Sequence, residues 1–262
     1  MQSPIHVHKT VRGNRLRIAL FALGFFIVLV AGLYYFLSFK KTHITPTLEG
    51  TWVCQQYLDS IAARHSVAAL KTFPMFVQLS FKKGWVDSVM STGLTATYKT
   101  QVAKQKKGKF LLTRFTDTLG IVRLKHEFTF EEMWSGTKWT YAKVDTAFKS
   151  MDRGKIFHRM LNKLLIAGKY RPILGKSLQK EVVFSDTGSV AGIKGVDSYK
   201  LCYGPDCLRF TLPKDAIFIA GKKNTIQLAF DWKADTLTVY TVARADTSVS
   251  FNPYWKLLKI SK

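Results

Sequence analysis

Past its first 47 residues the chain alternates apolar and polar side chains with a period of two, and this pattern restricts the fold more than any other feature. In GIVRLKHEFTF, residues 120–130, Val122, Leu124, Phe128 and Phe130 face one way, while Ile121, Arg123, Lys125, Glu127 and Thr129 face the other. That is the signature of a strand with one wet face. TIQLAFDW repeats it, with Ile226, Leu228, Phe230 and Trp232 against Gln227, Ala229 and Asp231. Further strands are expected at 50–57, 75–82, 85–91, 95–103, 109–115, 138–145, 180–185, 189–194, 198–203, 207–212, 216–220, 236–243 and 254–260. Turn residues such as Lys83-Gly84, Lys107-Gly108, Ser135-Gly136 and Thr187-Gly188 separate them. Many short strands at regular spacing predict an all-β fold, an antiparallel barrel or sandwich.

Two segments interrupt the alternation. Residues 58–71 suit a short helix capped by Asp59 or Ser60, and Pro74 follows it. In residues 151–167, Ile156, Phe157, Met160, Leu161, Leu164 and Leu165 form one apolar stripe, with Ser150 as N-cap and Gly168 as the stop. This second helix divides the domain, 48–262, into two halves, 48–148 and 166–262. One begins Leu48-Glu49-Gly50-Thr51-Trp52 and the other Ile166-Ala167-Gly168-Lys169-Tyr170, and each ends near an aromatic-x-Lys, Tyr141-Ala142-Lys143 and Tyr254-Trp255-Lys256. Paired half-barrels are one expectation; a single continuous barrel with the helix outside it is the other.

Ahead of the domain, Ile18 to Phe39 are 22 consecutive uncharged, mostly apolar residues. A helix of that length, at about 1.5 Å per residue, crosses a hydrocarbon core of about 30 Å. A cleaved signal peptide would have a shorter apolar region and a small-x-small site, so a retained anchor is expected and a cleaved, secreted chain is the second reading. Residues 1–17 carry Lys9, Arg12, Arg15 and Arg17, against Lys40 and Lys41 in the 40–47 linker. That asymmetry keeps the N-terminus cytoplasmic and exports the domain, to the periplasm if the cell is bacterial.

An exported domain permits disulfides. Cys202 and Cys207 flank Tyr203-Gly204-Pro205-Asp206, a turn-forming tetrapeptide expected to bring the two sulfurs together across a hairpin. Cys54 shares a strand face with Trp52 and is expected to be a buried free thiol beside it.

Gly50-Thr51-Trp52, at the head of the first expected strand, resembles the start of the lipocalins. The resemblance extends in style to EVVFSDTGSVAGIKGVDSYKL and to the C-terminal DTLTVYTVARADTSVSFNPYWKLLKI. It implies a ligand-binding barrel in which Gly50 lets the chain turn into the strand and Trp52 closes the barrel floor. The basic residue that packs over that tryptophan in the family would be Lys256 or Lys259. With 19 phenylalanines available to line a cavity, the expected ligand is a lipid or another small apolar molecule.

Four short segments resemble parts of catalytic motifs. Asp186-Thr187-Gly188 resembles the active-site loop of aspartic proteases, and Ile219-Ala220-Gly221 loosely resembles a second element of that family. A single motif would need a homodimer to supply two carboxylates, and a hairpin turn is the simpler role for Asp-Thr-Gly. His126-Glu127 lacks the second histidine of a zinc-protease helix. His126 is expected on the apolar face with Leu124 and Phe128, as a core histidine or as a polar group for a ligand head. Gly175-Lys176-Ser177 lacks the glycine spacing of a phosphate loop. No enzyme, cofactor or metal is expected.

The formal charge is +23, and residues 42–262 hold 34 basic and 17 acidic residues. Lys104, Lys106, Lys107 and Lys109 make one basic turn, and Lys155, Arg159 and Lys163 mark the polar face of the second helix. Such a surface suits an anionic membrane or an envelope polyanion, so a structural or interaction domain docking there is the alternative function. Export and the lack of any recognised motif argue against nucleic acid.

Overall fold

The computed structural model describes residues 48–82, 85–90, 97–104, 109–114, 117–124, 127–144, 155–209, 211–222, 224–245 and 248–261, all within one compact unit, Ile44–Lys262. The expected anchor at 18–39 lies outside the described residues, as do Lys106, Lys107, His126 and Ser150. Among the described residues no helix is long and apolar enough to cross a membrane.

The architecture is all-β and antiparallel. Strands β1 (Gly50–Cys54), β2 (Phe76–Lys82), β3 (Trp85–Met90), β4 (Thr97–Lys104), β5 (Lys109–Arg114), β6 (Asp117–Leu124), β7 (Phe128–Glu132) and β8 (Lys138–Lys143) follow one another round a closed barrel. Pairing of Trp52 with Lys143 and of Cys54 with Tyr141 completes the ring. The second half repeats this order: β9 (Gly168–Leu174), β10 (Leu178–Phe184), β11 (Val190–Ile193), β12 (Ser198–Leu201), β13 (Asp215–Ala220), β14 (Thr225–Lys233), β15 (Thr236–Ala245) and β16 (Ser248–Ser261). Here β16 returns to β9, and the gap between β11 and β12 is joined by one bridge, Ser189 to Ser198. Each half therefore makes its own eight-stranded sheet, which is neither a half-barrel nor part of one continuous barrel.

The 120–130 segment is a hairpin and not one strand. Leu124 pairs with Phe128 and Val122 with Phe130, so the four apolar side chains still share a face, the inner one. Trp52, Phe81, Phe128, Phe130 and Tyr141 pack together there. Trp52 stacks on Phe128 at 4.5 Å between centroids, and Phe81 and Tyr141 meet Phe128 edge-on. Gly120 lies beneath the Phe130 ring, where a Cβ would come within 2.4 Å. Its lack of a side chain makes room for the aromatic layer.

Helix α1 (Gln55–Arg64) follows β1 without a break and buries Tyr57, Leu58 and Ile61. The expected strand 50–57 thus ends at Cys54, and the helix starts earlier than Asp59 or Ser60. Helix α2 (Ile156–Leu165) buries Ile156, Phe157, Leu161 and Leu165 as its stripe predicts. Short α3 (Pro205–Leu208) replaces the expected strand 207–212: Pro205 enters at the first turn, where its fixed φ suits a helix, and Cys207 and Leu208 are buried. The long return from Leu201 to Asp215 replaces the expected hairpin. Strand β9 was masked in the sequence by Pro172, a residue confined in sheets to edges and irregularities; the β16–β9 register shifts beside its partner Leu257.

Three side chains tie the halves together through backbone groups. Tyr57 donates to Tyr203 O at 2.7 Å, and Gln78 Oε1 accepts from Phe157 N at 3.0 Å. Asp215 Oδ1 accepts from Val67 N at 2.9 Å and from Ala68 N at 2.6 Å, so the loop after α1 closes one end of the second sheet. Val67 is fully buried there, and His65 stacks on Trp232. Burial pushes the Asp215 carboxyl up from 3.8 to about 6, while the Ala68 N–H, the Ser66 hydroxyl and the Val67 N–H pull it down. The native chain thus keeps this proton to higher pH than the unfolded chain. The group's contribution to stability is largest below about pH 4 and is lost as pH rises through about 6. Asp215→Asn keeps an acceptor and removes the titration. In urea melts its stability relative to wild type should rise by on the order of 2 kcal/mol between about pH 4 and about pH 7; parallel profiles would refute a desolvated carboxylate at this position.

Candidate functional site

Each sheet begins with the same local device. Gly50 has φ +124° and Gly168 φ +151°, values that suit a residue without Cβ. Two residues on, Trp52 donates its indole N–H to Leu48 O at 3.0 Å, and Tyr170 donates its hydroxyl to Ile166 O, each bond reaching back four residues. Leu48 and Ile166 are both fully buried. A lysine from the last strand of the same sheet then covers each ring. Lys143 Nζ lies 5.5 Å from the Trp52 centroid, and Lys259 Nζ lies 5.9 Å from Tyr170 and 5.3 Å from Trp232. The basic partner of Trp52 is thus Lys143, not Lys256 or Lys259. The sequence signal was present but misaligned: Tyr141-x-Lys143 corresponds to Leu257-x-Lys259, three residues past Tyr254-x-Lys256.

These two ends are closed. The opposite end of the second sheet carries an open cleft of about 680 Å³. Its walls come from the 194–197 turn, the 221–224 turn, Ile219, Ile226 and Tyr254. Asp197 N donates to Ala220 O at 2.9 Å, holding the two turns together. Gly221 makes that approach feasible, since a Cβ on it would fall 1.9 Å from Gly195 O. Ile219 pairs with Ile226 and belongs to the inward row with Ile217, so the cleft leads from solvent toward the core of the sheet. Lys194 and Lys222 stand exposed at its edge, with Asp197 the one carboxylate among the lining residues. Next to Tyr254, the buried Trp255 has an indole N–H with no acceptor among the described residues. Ile219 and Gly221 entered the sequence reading only through the loose protease element, Ile226 as a strand residue and Tyr254 through the aromatic-x-Lys end; none was read as part of a ligand site. The two Gly-Lys turns, IKGVD and AGKKN, were the available signal.

The other sequence candidates separate. A disulfide joins Cys202 and Cys207, with Cα atoms 5.9 Å apart, around the α3 turn. Cys54 is a buried free thiol on the inner face with Trp52, pushed up to about 12 chiefly by burial. Asp186 sits in the β10–β11 turn, where Arg159 Nε donates to its carboxylate at 2.7 Å and Gly188, φ +94°, turns the chain. Ile219-Ala220-Gly221 runs into a separate turn. Of the basic candidates, Lys104 and Lys109 lie at the facing ends of β4 and β5, Arg159 is engaged by Asp186, and Lys155 and Lys163 stand exposed at the start and near the end of α2. Among the described residues, no group of three or more His, Cys, Asp or Glu side chains could hold a metal.

No protein family matches the chain, and neither the curated proteins nor the solved structures contain a significant match.

The closed-end device has a measurable consequence. Gly50→Ala forces a Cβ into positive φ and to within 3.0 Å of Lys143 Cε, and should cost about 1–3 kcal/mol. Gly136→Ala, at φ +65° with open space around it, should cost less, on the order of 1 kcal/mol. Equal shifts in the urea midpoint would show that the Gly50–Lys143 contact adds nothing.

Proposed function

We propose that the chain is a membrane-anchored, exported binding module of lipocalin-like type, and that its ligand is a lipid or another small apolar molecule held at the open end of the second sheet. The cleft there carries the reading. Its volume falls in the range of ligand pockets, its inner wall is apolar, and lysines stand at its mouth, an arrangement suited to an apolar body with an acidic or polar head. Support for the family likeness comes from the Gly50–Trp52 turn with Lys143 over the ring; support for the anchor comes from the 18–39 apolar run.

The first sheet is a poorer host. Its aromatic layer around Phe128 occupies the inner face beside Trp52. Solvent extraction of the purified full-length chain followed by mass spectrometry should recover an apolar compound, and a fluorescent fatty-acid probe should bind. Ile226→Trp, placed to fill the cleft, should lower both several-fold while leaving the melting temperature near that of wild type. No extracted compound together with no probe binding overturns the proposal.

A further inference from the structure

The cleft opens among exposed apolar side chains that a soluble barrel has no folding reason to leave there. Ile173 is 57% exposed, Leu174 48%, Ile226 45% and Tyr254 40%. All four lie at the same end of the second sheet. Leu174 pairs with Lys256, Gly175 lies against Tyr254 O, and Ser177 O accepts from Lys194 N at 2.8 Å. Three exposed lysines, Lys176, Lys194 and Lys222, come from three of the turns at this end. Clustered exposed apolar residues rimmed by charge mark an interaction surface, and three lysines against the one carboxylate of Asp197 favour an anionic partner. Aromatic and aliphatic tips with flanking lysines match a bilayer interface, where the rings and chains enter the headgroup boundary and the ammonium groups meet phosphates.

We propose that this open end is a docking face for the surface of an anionic lipid bilayer, so that the cleft mouth meets the membrane from which its ligand is drawn. The proposal rests on the ligand reading above for the direction of exchange, whereas docking itself is read independently. The opposite end of the sheet, closed by α2 and the loop carrying Val67, faces away. The competing apolar tip is Met133-Trp134 in the β7–β8 turn, where Trp134 is 75% exposed; the nearest described basic residue in the chain is Lys138, and the neighbouring side chains include Glu131 and Glu132. An anionic surface would disfavour it.

The full-length chain, reconstituted through its own N-terminal segment into phosphatidylcholine vesicles with or without phosphatidylglycerol, provides the test. Single cysteines at Asn224, Asp235 or Trp134 carry an environment-sensitive fluorophore; Cys54 is buried and stays unlabelled, and Cys202–Cys207 remains a disulfide. Spin-labelled lipid should quench the probe at position 224 in phosphatidylglycerol vesicles and leave those at 235 and 134 near background. Lys194→Glu with Lys222→Glu should lower the docked-to-undocked ratio by more than about tenfold. Equal quenching at all three positions, stronger quenching at 134, or indifference to phosphatidylglycerol and to charge reversal overturns the docking face. Quenching nowhere, with chains cross-linking through position 224, assigns the face to a protein. Docking without an extractable ligand sinks the ligand reading alone, and a ligand without docking sinks this one.

Discussion

Strand β2 is buried from Phe76 to Phe81 on both faces, and the rest of the structure follows from how its outer face is satisfied. An inner barrel strand needs only apolar neighbours on one side. Here Gln78 and Ser80 also lie under cover, with Ser80 bonded to Thr51 at 3.0 Å. The Gln78 carbonyl oxygen receives the Phe157 N–H, one of the orphan donors in the first turn of α2, whose own N-cap residue Lys155 supplies no side-chain bond. A buried amide left without that donor, or a helix start left without that acceptor, would cost about 1–3 kcal/mol. The helix between the halves is thereby fixed to the first barrel while its apolar stripe packs in the shared core.

Asp215 and Tyr57 repeat the logic in both directions: a side chain from one half satisfies backbone groups of the other, across separations of 146 to 148 residues. These bonds set which end of the second sheet is sealed. Because the loop after α1 occupies that end, solvent access is left at the other, where turns at 175–177 and 194–197 and the turn beginning Gly221-Lys222 stand. The position of the cleft is thus a consequence of how the halves join, as much as of its own lining.

The strand pattern was legible because period-two alternation survives wherever one face is wet; β14, with Leu228 and Phe230 inward, lies where its sequence places it. Elements buried on both sides or satisfied at long range were not. Tyr57 reads as the end of a strand, one residue before the expected helix, until α1 is seen to need it beside Leu58 and Ile61 in its buried stripe. Gln78 lies in the expected strand 75–82, and nothing local marks it as the acceptor for the first turn of a helix 79 residues away. Pro172 hid β9, and that concealed the second ring closure, since β9 is the strand to which β16 returns. The Gly-x-aromatic starts were visible, yet their lysines were assigned wrongly, because register between first and last strands is a property of the closed sheet.

The cleft was illegible for a related reason. Its residues are unremarkable singly: isoleucines on strands, and lysines and glycines in turns. What distinguishes them is the failure of β11 and β12 to pair beyond one bridge, which splays the sheet at the 194–197 turn. Full pairing there would satisfy the edge groups and finish a second barrel as closed as the first. Val190 N–Asp197 O and Tyr199 N–Gly188 O are the two bonds of that bridge, and Lys194 N–Ser177 O holds the far end of β11 to β10. The gap leaves the 194–197 turn beside the buried Ile219 in the wall of the cleft. Sealing at one end and a gap at the other give the two otherwise similar sheets different uses: the first is packed with its own aromatics beside Trp52, and the second keeps an opening lined by isoleucine and rimmed by lysine.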